Sequence, residues 1–195
     1  MASDLDVRFA AGSHDYIEQG TGEVLPGITT LLKQTGHIDD RFYDDDAAER
    51  GTWVHARTAD YDLGLISRPE GITHGWKPYL LAHVTCMRAL QPEILHVEEM
   101  SSHPTHRYCS RIDRVLKLHK VRGVWEIKTG GKAPWHKLQT ALEAILDSAA
   151  SGVPPQHLRR WCCYLNFTGG YKVERHDDPR DLADAYAVLR QCGRY

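Results

Sequence analysis

The spacing of apolar positions changes period several times along the chain, and each change predicts an element. "WKPYLLAHVTCMRAL" (76–90) sets Tyr79, Leu80, His83, Val84, Met87 and Leu90 at the three- and four-residue intervals of one buried helix face. From residue 93 the period shortens. "EILHVEEM" (93–100), "RYCSRIDRVLKLH" (107–119) and "VWEIKT" (124–129) predict three strands, with "KVRG" and its Gly123 as the hairpin loop between the last two. The helical period returns after Pro134, where Leu138, Leu142, Ile145 and Leu146 face inward until Gly152 and the Pro154–Pro155 pair stop the helix. "LRRWCCYLNF" and "YKVERH" predict a second hairpin around Gly169–Gly170. "DPRDLADAYAVLRQCG" predicts a closing helix with Asp178 as N-cap and Pro179 at the first helical position.

Upstream the pattern is shorter. "HDYIEQGTGEVLPGITTLLKQTG" predicts a short hairpin or extended segment turning at Gly20 and Gly22. A short helix capped by Thr29 or Thr30 and closed by Gly36 follows. "FYDDDAAERGTWVHARTADY" (42–61) predicts a helix with its acids at the N-terminal end, where the helix dipole favours them. The acidic run 39–46 reads as a solvated helix start. The expected fold is α/β (α+β), a central mixed β-sheet flanked by helices, in one domain over 1–195. Residues 1–92 form its mainly helical N-terminal part, and 93–195 its core sheet and helices.

With 195 residues and 42% hydrophobic content, the chain can bury one substantial core. It has no apolar run of membrane-spanning length and no basic-then-apolar start, so a cytoplasmic protein without a membrane partner is expected. Five cysteines without a C-x-x-C pattern (Cys86, Cys109, Cys162, Cys163, Cys192) predict reduced thiols rather than a disulfide framework or a zinc motif. The net charge is −2, but it is unevenly distributed: residues 101–137 hold 9 Lys and Arg against 2 Asp and Glu, while residues 1–100 hold 8 against 17. A local positive field of this kind suits a polyanionic partner.

The basic segment contains "VWEIKT". Side chains two apart on a strand share a face, so Glu126, Lys128 and Val124 point one way and Trp125, Ile127 and Thr129 the other. An isolated E-x-K is also read as a surface ion pair at a strand end. If 107–119 pairs with 124–129, however, Asp113 lies across from Glu126 or one pair away, and facing carboxylates repel unless a cation joins them. Oxygen ligands of this type suit Mg²⁺ or Mn²⁺. Lys128 beside them can orient or deprotonate an attacking water and offset charge in a transition state, the requirements of phosphodiester hydrolysis.

"SRIDRV" with Asp113, "EIKTG" with Glu126 and Lys128, "LQTALEA" with Gln139 and "RGTWVH" (50–55) with His55 together resemble the PD-(D/E)XK nuclease superfamily, in its RecB-type and phage recombination exonuclease branch. The resemblance spans roughly residues 14–190. It implies a restriction-endonuclease-like core and metal ligation by Asp113, Glu126, the backbone carbonyl of Ile127 and His55. It also implies that Lys128 serves the attacking water, that Gln139 orients the site or the nucleic-acid backbone, and that Glu98 or Glu99 adds a carboxylate. Two positions depart from the family pattern. Ser110 stands where a glycine is usual, and no aromatic residue follows Gln139. An iron–sulfur cluster is not expected, because no cysteine precedes Cys86.

Arg107, Arg111, Arg114, Lys132 and Lys137 are candidate phosphate contacts, and Trp135 a candidate for base stacking or for the core. The implied activity is a Mg²⁺-dependent deoxyribonuclease acting as an exonuclease on double-stranded ends. The implied protein partner is a single-strand annealing or recombination protein, and oligomerisation is left open. The competing readings are a structure-specific or single-strand endonuclease and a non-catalytic nucleic-acid-binding module.

Overall fold

A computed structural model describes residues 5–10, 15–39 and 44–195. Its centre is a five-stranded sheet of β4 (Glu93–Ser102), β5 (Cys109–Leu118), β6 (Val121–Lys128), β7 (Arg159–Leu165) and β8 (Tyr171–Arg175), in that spatial order. All neighbours are antiparallel except β6 and β7, which run parallel. A parallel pair requires a crossover, and α4 (His136–Ser151) supplies it. The fold is therefore mixed α/β of the α+β kind.

The sheet is covered on both faces, as the two-sided pattern of β6 requires. Val124 packs with α4, α1 (Ile28–Gln34) and α5 (Arg180–Gln191). On the opposite face, Trp125 and Ile127 pack against Val54 of α2 (Asp45–Asp62) and Tyr79, Ala82, Cys86 and Met87 of α3 (Lys77–Leu90). Glu126 thus points toward α4 and Trp125 toward α3, the division expected from alternation.

Three local expectations need correcting. Gly123 lies inside β6 rather than in the hairpin loop, because a Cβ there would sit 2.1 Å from the carbonyl oxygen of Arg159 on β7. The turn is instead His119–Lys120, both residues with φ near +50° to +70°, closed by the Leu118–Val121 pair. The short helix α1 begins after Gly27 with no side-chain cap, so neither Thr29 nor Thr30 has the expected role. α5 is assigned from Arg180 with Pro179 at its N-cap position, yet the Asp178 carboxylate accepts the Arg180 N–H at 2.9 Å and so still does the capping. The start expected for α2 at residues 42–43 lies outside the described residues.

The sequence pattern did not reveal β1 (Val7–Ala10). It pairs with β2 (Asp15–Glu18), and β2 with β3 (Val24–Leu25), making a small antiparallel sheet. This sheet is tied to the core through the Cys109 N–H, which donates to the Pro26 carbonyl, and the Leu5 N–H, which donates to the Ser102 hydroxyl. Arg107 adds ion pairs to Glu18 and Glu23 at 2.9 and 2.7 Å.

Candidate functional site

The β5–β6 register pairs Arg114 with Trp125, so one further step sets Asp113 opposite Glu126. Asp113 is 5% exposed, and its Oδ2 accepts the Ile127 N–H at 2.7 Å. Its other oxygen lies 3.1 Å from His55 Nδ1, and Glu98 Oε1 lies 3.4 Å from the same nitrogen. His55, Glu98 and Asp113 come from α2, β4 and β5, and each offers a ligand atom within 4.8 Å of the other two. The choice between Glu98 and Glu99 is settled by direction: Glu98 meets His55, while Glu99 is more than half exposed and pairs with His96. Glu98 has φ +50°, a conformation costly for a non-glycine residue and one found disproportionately at functional positions.

Behind this group sits a buried ionic network. Arg114, with no exposed surface, donates to Glu98 at 3.3 Å, Asp62 at 2.6 Å and Thr58 at 3.1 Å, and Asp62 also takes His83 Nε2 at 2.9 Å. Burial opposes ionisation of Asp62, but His83 and Arg114 outweigh it and hold its carboxyl below the usual range. Arg114 therefore cannot be the phosphate contact expected from sequence; it braces Glu98 from inside.

Glu126 is 3% exposed and turns toward Lys128, whose Nζ lies 2.7 Å from Oε1. Lys128 also donates to Gln139 Oε1 at 2.9 Å, and Gln139 Nε2 donates to Glu143 Oε1 at 3.0 Å. The Oε2 atoms of Glu126 and Glu143 are both buried with no donor among the described residues. Burial, and then the charges of Glu126 and Asp113, push the Glu143 carboxyl well above its usual range. That direction favours the neutral form of Glu143 beside the Glu126 carboxylate.

Glu126 thus stands beside the close ligand group, joined to Lys128 and Glu143, rather than converging on one point with Asp113. Ile127 touches Asp113 through its N–H, not its carbonyl. Burial works against the Lys128 ammonium, but Glu126 more than offsets it and raises its pKa. Of the two roles expected for Lys128, orienting a water fits this state, and deprotonating one does not. Burial also works against charge on His55, yet Asp113, Glu98 and Glu126 together raise it to about 10.

Two clefts meet at His55. One, of about 420 Å³, is lined by Gly51, His55, Ile127, Lys128, Trp135 and His136. The other, of about 400 Å³, is lined by Phe9, Tyr16, Thr52, His55, Ala56, Glu98 and Arg111. Trp135 stands 4.9 Å from the Lys128 ammonium and packs partly against the core. Among the other candidate phosphate contacts, Arg107 is committed to Glu18 and Glu23, Lys132 to Glu174, and Lys137 approaches Asp181 at 3.5 Å. Arg111 is exposed and lies over the Phe9 ring at 5.0 Å.

Sequence reasoning did not assign Glu143, Asp62 or His83 to this neighbourhood. Glu143 could have been found as the only acid between residues 138 and 146, four residues after Gln139 and therefore on the same helix face. Asp62 and His83 left no such signal. No protein-family model matches the chain, and no curated protein matches it.

Proposed function

We propose that the protein is a Mg²⁺-dependent deoxyribonuclease of the PD-(D/E)XK type, an exonuclease that processes double-stranded DNA ends in recombination or repair. The observation that carries this reading is the close approach of His55, Glu98 and Asp113 at the junction of two open clefts, with the Glu126–Lys128 pair one strand away. An ordinary core has no use for three buried acids, Asp113, Glu126 and Glu143, on neighbouring elements. The donor set fits a hard divalent ion: two carboxylates and an imidazole together, with the buried Glu126 carboxylate on the neighbouring strand.

Such an ion, bound by Asp113, Glu98 and His55, would supply Lewis-acid polarisation of a phosphoryl oxygen and a more acidic water. The remaining work falls to side chains. The Lys128 ammonium is fixed by Glu126 and Gln139, so its third proton can be aimed at a water or a phosphoryl oxygen. Glu143 keeps Glu126 and Gln139 in place. Arg114 fixes Glu98 without being consumed by substrate.

The test is incubation of 5′- and 3′-labelled linear duplex, circular duplex and single strands with Mg²⁺ or EDTA, alongside Lys128→Ala. Mononucleotide release from linear ends, abolished by EDTA and reduced at least about 100-fold in the variant, is expected. Nicking of circles would replace the exonuclease reading with an endonuclease. Intact DNA bound equally by both proteins would assign a binding module.

A further inference from the structure

The cleft on the small-sheet side of His55 shares His55 and Glu98 with the ion group, and its remaining walls are chemically matched to one another. Phe9 and Tyr16 are a cross-strand pair on β1 and β2, their ring centroids 5.2 Å apart at 48°. The Tyr16 ring is backed by Gly27, where a Cβ would come within 3.1 Å of it. The opposite wall is one face of α2: Thr52, His55 and Ala56 stand at i, i+3 and i+4. Thr52 and Ala56 are small, and the Thr52 hydroxyl is turned back onto the Ala48 carbonyl at 3.0 Å. The result is an apolar slot between two rings and a low helix surface.

Arg111 adds a charge at its mouth. It precedes Asp113 by two residues on β5, so the two side chains share a face of the strand about 7 Å apart. Among the described residues no ion pair engages its guanidinium, which lies over Phe9. A cation next to a flat apolar slot, two residues along β5 from Asp113, matches a nucleotide: an anionic phosphate and a planar base close together. A cleft volume of about 400 Å³ is within the range of small-ligand sites.

We infer that Phe9, Tyr16 and Arg111 form a nucleotide subsite that stacks one base of the DNA strand beside the bond to be cut and holds the adjoining phosphate. The inference rests on the nuclease reading, which it extends by assigning the small sheet a direct contact with substrate. The strand then runs from the Lys128–Trp135 cleft past His55 into this slot. The contact is indifferent to base identity, since every base offers a π face.

The experiment measures binding of the full chain, with Ca²⁺ in place of Mg²⁺, to a labelled oligonucleotide duplex with a single-stranded end. A single abasic position is walked along that end. For the wild type, one abasic position should weaken binding about tenfold, the scale of one base–aromatic contact. In Phe9→Leu and Tyr16→Leu, both kept apolar to preserve packing, that position should lose its effect while the others keep theirs. Arg111→Gln should weaken binding to all oligonucleotides and lower the salt dependence by about one phosphate contact.

Equal abasic sensitivity in wild type and ring variants, with Mg²⁺-dependent cleavage intact, overturns the subsite and leaves the nuclease reading standing. A uniform loss of binding in the ring variants with a lowered melting temperature assigns the rings to packing and likewise overturns it. A wild type that neither binds nor cuts DNA ends both.

Discussion

Glu143 is the residue whose chemistry is least expected from its place in a helix. Its carboxyl is buried against Glu126 and pushed well above the usual range, first by burial and then by neighbouring negative charge. Neutral Gln can still accept the Gln139 Nε2 bond, so Glu143→Gln should change the melting temperature by no more than about 3 °C, whereas Glu143→Ala leaves the Gln139 amide without its acceptor at a cost of about 1–3 kcal/mol. Thermal melts of the two variants check this.

His55 gives a prediction of the opposite kind. Its pKa of about 10 in the metal-free protein lies above the ordinary value, so its protonation favours the folded state fully below about pH 6.5. That contribution is lost as pH rises through about 10. A cation that uses His55 must displace this proton. Mg²⁺ affinity should therefore rise about tenfold per pH unit between 7 and 9, with about one proton released per ion near pH 8. Calorimetry in buffers of different ionisation heat measures the release, and none would remove His55 from the ligand set.

At the level of elements, the β5–β6 hairpin holds the site together and was largely legible. Alternation in "VWEIK" placed Glu126 and Lys128 on one face because both faces of that strand are buried by different helices, which leaves no freedom in register. The turn was misplaced for a physical reason. Glycine is the usual signal for left-handed backbone, but here His119 and Lys120 adopt it, and Gly123 is spent on the close approach of β7. Replacing His119–Lys120 by Asn–Gly should stabilise the protein by about 1 kcal/mol, measured by denaturant unfolding, since both new residues tolerate positive φ.

β1 escaped sequence reasoning because four residues paired at the margin of the fold carry too little periodicity to be seen. The buried Arg114 network escaped because a basic strand suggests surface. Only packing reveals that Asp62 and Glu98, from distant segments, turn that arginine inward.

Taken as a whole, the molecule builds its candidate site from parts of unequal firmness. α4 buries ten of its sixteen residues between the sheet and α5, while α2, which brings His55, buries only Val54, Thr58 and Ala59 of its eighteen. The Arg114 contacts to Thr58 and Asp62 add to the packing of Val54, Trp53 and Tyr61 in holding α2. Such an element belongs to the low end of the local-stability range. Amide hydrogens of α2 should exchange with deuterium well before those of α4, through partial openings that lift the helix while the sheet persists. A bound cation spanning His55, Glu98 and Asp113 would act as a clasp, slowing exchange in α2 roughly in proportion to ion concentration above its dissociation constant and leaving α4 unchanged.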